Sequence, residues 1–134
     1  MEKLMNIRLV LMWGAILWIA YTFIYAGLPK IFDYGTMIER MQVRGFGREW
    51  SLFIGICEVL GGIAILIPPL RSTALILLFP LAIGALTVHL AAGEPMLRYY
   101  KALSISVLIP IALLLDPYFK IILYKENKIH RTKT

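Results

Sequence analysis

The chain has 134 residues, 60% of them hydrophobic and 16% charged, with a mean hydropathy of +0.76. So few polar side chains cannot clothe a water-soluble globule, and the apolar residues gather in four long blocks rather than in the short-period patterns of a soluble core. The net charge of +6 would suggest nucleic acid on a soluble chain; beside apolar blocks it points instead to membrane lipids, with no nucleic-acid partner.

A membrane-spanning helix needs about 20 mostly apolar residues. The stretches 9–27, 50–67, 73–92 and 97–115 meet that. They predict an all-α integral membrane four-helix bundle, forming a single transmembrane domain with a basic C-terminal tail over 117–134. The connections are short except Leu28–Glu49, which excludes a separate soluble domain.

Span one reads WGAILWIAYTFIYAG from Trp13 to Gly27. Its length, its two Trp and its continuation into Gly27-Leu28-Pro29-Lys30 argue for a retained helix over a cleaved signal peptide. Tyr25 falls where aromatic residues meet the headgroups, while Tyr21 lies deeper, where its hydroxyl calls for a protein partner. In the following loop, Thr36 with Glu39 three positions on makes a capping-box pattern. Met37, Ile38 and Met41 then share one side of a short amphipathic helix that Gly45 would end.

Span two carries an acid. At 100° per residue Gly55, Glu58 and Gly62 lie within about 60° of one another, which puts a carboxylate on a small-residue face that must meet protein. An ionised carboxylate in hydrocarbon costs several kcal/mol, so Glu58 needs a cation, a watery cavity or its own proton. Span three aligns Ala82, Ala85, His89 and Ala92, contains Pro80, and turns at Gly93-Glu94-Pro95. Span four opens with Arg98, Tyr99, Tyr100 and Lys101, contains Pro110, and stops at Asp116 and Pro117.

With four crossings, both termini and the turn at 68–72 share one side, with Lys3, Arg8, Arg71, Lys120, Lys125, Lys128, Arg131 and Lys133. The other side has Lys30, Arg40, Arg44, Arg48, Arg98 and Lys101, with Asp33, Glu39, Glu49 and Glu94. The more basic side is expected to be cytoplasmic, with both termini. Lys30, Glu58 and His89 then all fall in the outer half, with Tyr21, Tyr25 and Lys101 near them.

Two readings of that cluster stand side by side. In the first it is a polar pocket, with Glu58 and His89 as catalytic acid and base and Lys30, Tyr21, Tyr25 and Lys101 lining it. In the second the same groups satisfy one another and join helices. A metal site is not expected from two His, one of them remote at His130, and one Cys. The lone Cys57 also rules out a CxxC thiol relay within this chain.

The strings AGLPKIF (Ala26 to Phe32), GICEVLGGIAILIP (Gly55 to Pro68) and VHLAAGEP (Val88 to Pro95) resemble the signature of the DoxX-like membrane proteins. These have Gly-x-x-Lys ending span one, Gly-x-x-Glu-x-x-Gly-Gly in span two and a His near the end of span three. The resemblance implies a four-helix bundle of the bacterial inner membrane. Relatives include a subunit of a thiosulfate:quinone oxidoreductase, a membrane partner in a thiol and oxidative-stress complex, and an assembly chaperone for an ion-channel receptor. It matches the family's recurrent polar residues to Lys30, Glu58 and His89.

The function expected is therefore a membrane component of a quinone-linked redox system. No haem, flavin, iron–sulfur or metal motif is present, so quinone is the one cofactor in view, and a partner would supply the other redox centre. The alternative is a non-catalytic accessory or assembly subunit of a larger membrane complex, or of a homo-oligomer.

Overall fold

The computed structural model describes residues 1–33 and 36–132. Tyr34 and Gly35 of the first loop, and Lys133 and Thr134 of the basic tail, lie outside the described residues. Six helices account for nearly all of it: α1 (Glu2–Phe32), α2 (Met37–Val43), α3 (Arg48–Ala64), α4 (Pro68–Ala91), α5 (Met96–Leu115) and α6 (Pro117–Thr132).

Three of these, α1, α4 and α5, are long and apolar enough to cross a membrane. The second expected span, α3, has 17 residues; at 1.5 Å per residue it is roughly 25 Å long, somewhat short of the ~30 Å hydrocarbon layer. α1 does not stop at Gly27 but continues through Pro29 to Phe32, where Asp33 takes a left-handed conformation and returns its N–H to the Pro29 carbonyl. That extra turn brings Lys30 into the helix, in register with Gly27 one turn back.

Each of α1, α3, α4 and α5 packs on two of the other three: α1 on α3 and α5, α4 on α5 and α3. The α1–α3 contact is the most extensive. The core joins Ile19, Ala20 and Phe23 of α1 to Leu75, Leu78 and Ala82 of α4 and Ile105, Ile109 and Ala112 of α5. On α1 the buried positions Met12, Ala15, Ile16, Ile19, Ala20 and Phe23 recur at helical spacing, one stripe of a helix whose other sides carry exposed Leu9, Val10, Leu11 and Leu17. Large apolar side chains facing outward on every long helix suit lipid as the solvent, where close packing rather than water exclusion holds helices together.

The first-loop helix is α2, which buries Met41 and packs on α3 and α1. Its start differs from the capping-box expectation. Thr36 sits at the N-cap in a left-handed conformation without a side-chain cap hydrogen bond, and the Ile38 N–H donates to Asp33 Oδ1 (3.1 Å). Its end is as the sequence predicts. Gly45 has φ +89°, its N–H donates to the Gln42 carbonyl (2.9 Å) and the Phe46 N–H to that of Met41 (2.9 Å); this is the pair of hydrogen bonds that closes a glycine-terminated helix.

The basic tail is helical from Pro117 to Thr132. Asp116 is its N-cap, accepting from the Tyr118 N–H (3.2 Å), and Pro117 fills the first helical position, where a missing N–H costs nothing. α6 rests on α4 and α5 and buries no residue.

Candidate functional site

The α1–α3 contact is built by two matching tetrads, Gly27-x-x-Lys30 and Gly55-x-x-Glu58. A β-carbon on Gly27 would stand 2.7 Å from the Gly55 carbonyl oxygen and 3.1 Å from Glu58 Cβ; one on Gly55 would stand 2.9 Å from the Gly27 oxygen and 2.8 Å from Lys30 Cβ. The two backbones therefore touch at the glycines, and each glycine lies against the charged residue of the opposite tetrad. The antiparallel crossing leaves Lys30 and Glu58 facing each other, and Lys30 Nζ donates to Glu58 Oε2 at 2.6 Å. Glu58 is withdrawn from solvent and Lys30 largely so, so each charge leans on the other.

His89 is elsewhere. α4 ends in the sequence His89-Leu90-Ala91-Ala92-Gly93-Glu94, with Gly93 at φ +64°. The Gly93 N–H donates to the Leu90 carbonyl (3.0 Å) and the Glu94 N–H to that of His89 (3.2 Å). This turn folds Glu94 back over His89, the position where such helix ends usually place an apolar contact. Here the contact is polar: His89 Nδ1 donates to Glu94 Oε2, and Arg44, just past α2, donates to Glu94 Oε1. The His89 hydrogen bond is the chief reason the Glu94 carboxyl titrates below its ordinary value of 4.5; Arg44 adds a hydrogen bond and a charge, and partial burial opposes them. The network ties the ends of α2 and α4 together.

Tyr21, Tyr25 and Lys101 form a third group between α1 and α5. The Lys101 ammonium lies 4.1 Å from the Tyr25 ring centroid and 5.7 Å from that of Tyr21, and the two rings stack 5.7 Å apart. Trp18 continues the row, donating its indole N–H to Ser104 Oγ (2.9 Å), which in turn donates to the Lys101 carbonyl (2.7 Å). Both tyrosines are more than half exposed. It is the Tyr21 ring, rather than its hydroxyl, that finds protein partners.

The structure thus joins Lys30 to Glu58 and Lys101 to Tyr21 and Tyr25. It sends His89 to Glu94 and Arg44, and Glu58 and His89 share no hydrogen bond or ion pair.

Sequence reasoning missed a fourth polar group at the opposite end. Arg71 and Asp116, read as a flanking charge and a helix stop, are both buried. Arg71 Nε donates to the Ile65 carbonyl (2.9 Å), and its guanidinium lies 4.7 Å from the Trp13 ring centroid. Asp116 Oδ2 accepts from Ser72 Oγ at 2.8 Å. The available signal was Asp116 before Pro117, a capping pair that forecasts a further helix and ties its acid to the backbone.

No curated protein and no solved structure matches the chain. The family model of the DoxX-like family matches residues 14–115, a stretch that takes in both glycine tetrads and the His89–Glu94 turn. The chain is a membrane protein of the DoxX-like family.

Proposed function

We propose that this protein is a non-catalytic subunit of a larger assembly in the bacterial inner membrane. It would cross the bilayer four times as a four-helix bundle with both termini cytoplasmic. One observation carries the reading: the two groups expected to form a proton-handling site, Glu58 and His89, lie apart, and each is already paired with another residue. Glu58 is closed on Lys30 at a backbone contact, and His89 is held by Glu94, itself held by Arg44. A proton passed between Glu58 and His89 needs the two within hydrogen-bond reach, and each is paired with another group instead. Leaving one charge of a buried pair uncompensated costs roughly 3–5 kcal/mol, whereas the same pair left closed braces the crossing of α1 and α3.

The test is gentle purification from native membranes, with mass spectrometry of the proteins and small molecules retained, for the parent and for the double variant Lys30→Met, Glu58→Leu. A partner protein in fixed ratio with both forms supports a subunit whose ion pair is a brace. A quinone held by the parent, released by a folded double variant, and no partner protein would sink it.

A second reading, a quinone-facing component of a redox system, is favoured by the Lys101 group. Half-exposed stacked rings beside an ammonium suit a flat ring bearing carbonyl acceptors, and the His89–Glu94 pair lies at the same end. Under it, Lys101→Met would lower the quinone retained by about ten-fold, the worth of one charge-assisted hydrogen bond.

A further inference from the structure

The end of the molecule that carries Asp116 holds a buried cation whose hydrogen bonds are incomplete. Arg71 is 2% exposed. Its Nε is used by the Ile65 carbonyl, but its Nη2 is buried without a hydrogen-bond partner. A guanidinium keeps its charge, and a buried charge calls for an anion. Among the described residues the obvious candidate, Asp116, forms no ion pair with Arg71 and instead receives the hydroxyl of Ser72, Arg71's own neighbour, and the Tyr118 N–H. Arg8 lies at the same end, its guanidinium 3.5 Å from the Leu114 carbonyl, and α6 adds exposed Lys120, Lys125, Lys128 and Arg131 against Glu126. The surplus at this end is positive.

Along the outward face of α1 runs a shallow, open groove of about 470 Å³, lined by Asn6, Leu9, Val10, Trp13, Gly14 and Leu17, and Arg71 meets it only through Trp13. It follows three turns of the helix, roughly 16 Å, and its lining is apolar apart from Asn6. Trp13 belongs to both features: it lines the groove and carries Arg71 against its ring. A phosphate with an attached hydrocarbon chain satisfies both at once, whereas free phosphate would answer only the cation.

We infer that the Arg71 end binds an anionic phospholipid, its phosphate pairing with the Arg71 guanidinium where the Trp13 ring gives way and one acyl chain lying over Gly14. The site depends on membrane residence and on neither functional reading above, so it can fail or stand independently of them.

The experiment uses the full chain, delipidated in detergent. Phosphatidylglycerol, phosphatidylcholine or inorganic phosphate is added, and bound lipid is read by native mass spectrometry and stability by thermal unfolding. Arg71→Met removes the donor. Gly14→Leu fills the groove, and it should fold, because a β-carbon at Gly14 meets nothing within 4 Å. The expected result is retention and stabilisation by phosphatidylglycerol over phosphatidylcholine, falling about ten-fold in each variant. Should Arg71→Met not fold, Gly14→Leu and the lipid contrast decide the matter. Equal retention of the two lipids, undiminished retention by Gly14→Leu, or equal stabilisation by inorganic phosphate alone would each overturn the lipid site.

Discussion

Lys30 and Glu58 show why a charge inside an apolar helix has to be judged as half of a pair. Removing one partner leaves the other buried and unanswered. Glu58→Gln should therefore lower stability by roughly 3 kcal/mol, the lower end for buried pairs because the long Lys30 stem can lift its ammonium toward the rim. Lys30→Met with Glu58→Leu should return to within about 1 kcal/mol of the parent. Thermal unfolding in micelles measures both, and a double variant as weak as the single one would show that the pair does more than neutralise itself. The adjacent glycines make a second comparison. Gly55→Ala puts a methyl 2.8 Å from Lys30 Cβ and 2.9 Å from a carbonyl that cannot turn aside, a cost of about 1–3 kcal/mol. Gly14→Ala meets nothing and should gain up to about 1 kcal/mol from helix propensity. Gly55, Glu58 and Gly62 were legible in the sequence as one face that must meet protein. Lys30 was legible as one candidate partner, but the register that delivers it was not, since α1 reaches Lys30 only by continuing past Pro29, and periodicity gives no sign that a helix will pass a proline there.

Among the elements, the two glycine-terminated helix ends set the Glu94 network. Gly93 reverses the chain so that Glu94 covers His89, while the end of α2 at Gly45 leaves Arg44 facing the same carboxylate. Because the Glu94 carboxyl titrates below 4.5 in the folded chain, its contribution to stability is fully present above that pH and is lost as pH falls through the depressed value. The difference in Tm between parent and Glu94→Gln should hold from pH 7 to about 5, shrink below 4.5, and narrow with added salt because the site is near the surface. A gap that persists unchanged at pH 3 would remove Glu94 from this role. The stop signals of both helices were visible in the sequence. That Glu94 would fold onto His89 and take its ring nitrogen was not, because a wheel projection gives the face of a residue but not what the following turn folds onto it.

On the scale of the whole molecule, charges sort by end: a closed network at the Glu94 end, a positive surplus at the Asp116 end, and one pair between helices α1 and α3. The all-helical character and the apolar helices were legible because composition alone demands lipid. The helical tail was hidden because its basic residues resembled a solvated run, although Asp116-Pro117 marked its start. The Lys30–Glu58 pair also bears on biogenesis. α3 is short and carries a carboxylate, so a translocation channel offering it to lipid alone meets a segment with little reason to stay. Once α1 waits beside the channel with Lys30 in place, the same segment brings a neutralised pair into hydrocarbon. Glycosylation mapping should find α3 poorly inserted when expressed alone, well inserted behind the parent α1, and poorly inserted again behind α1 carrying Lys30→Met. The fold would then be assembled in the order in which it is translated, with the first helix serving as the permit for the third.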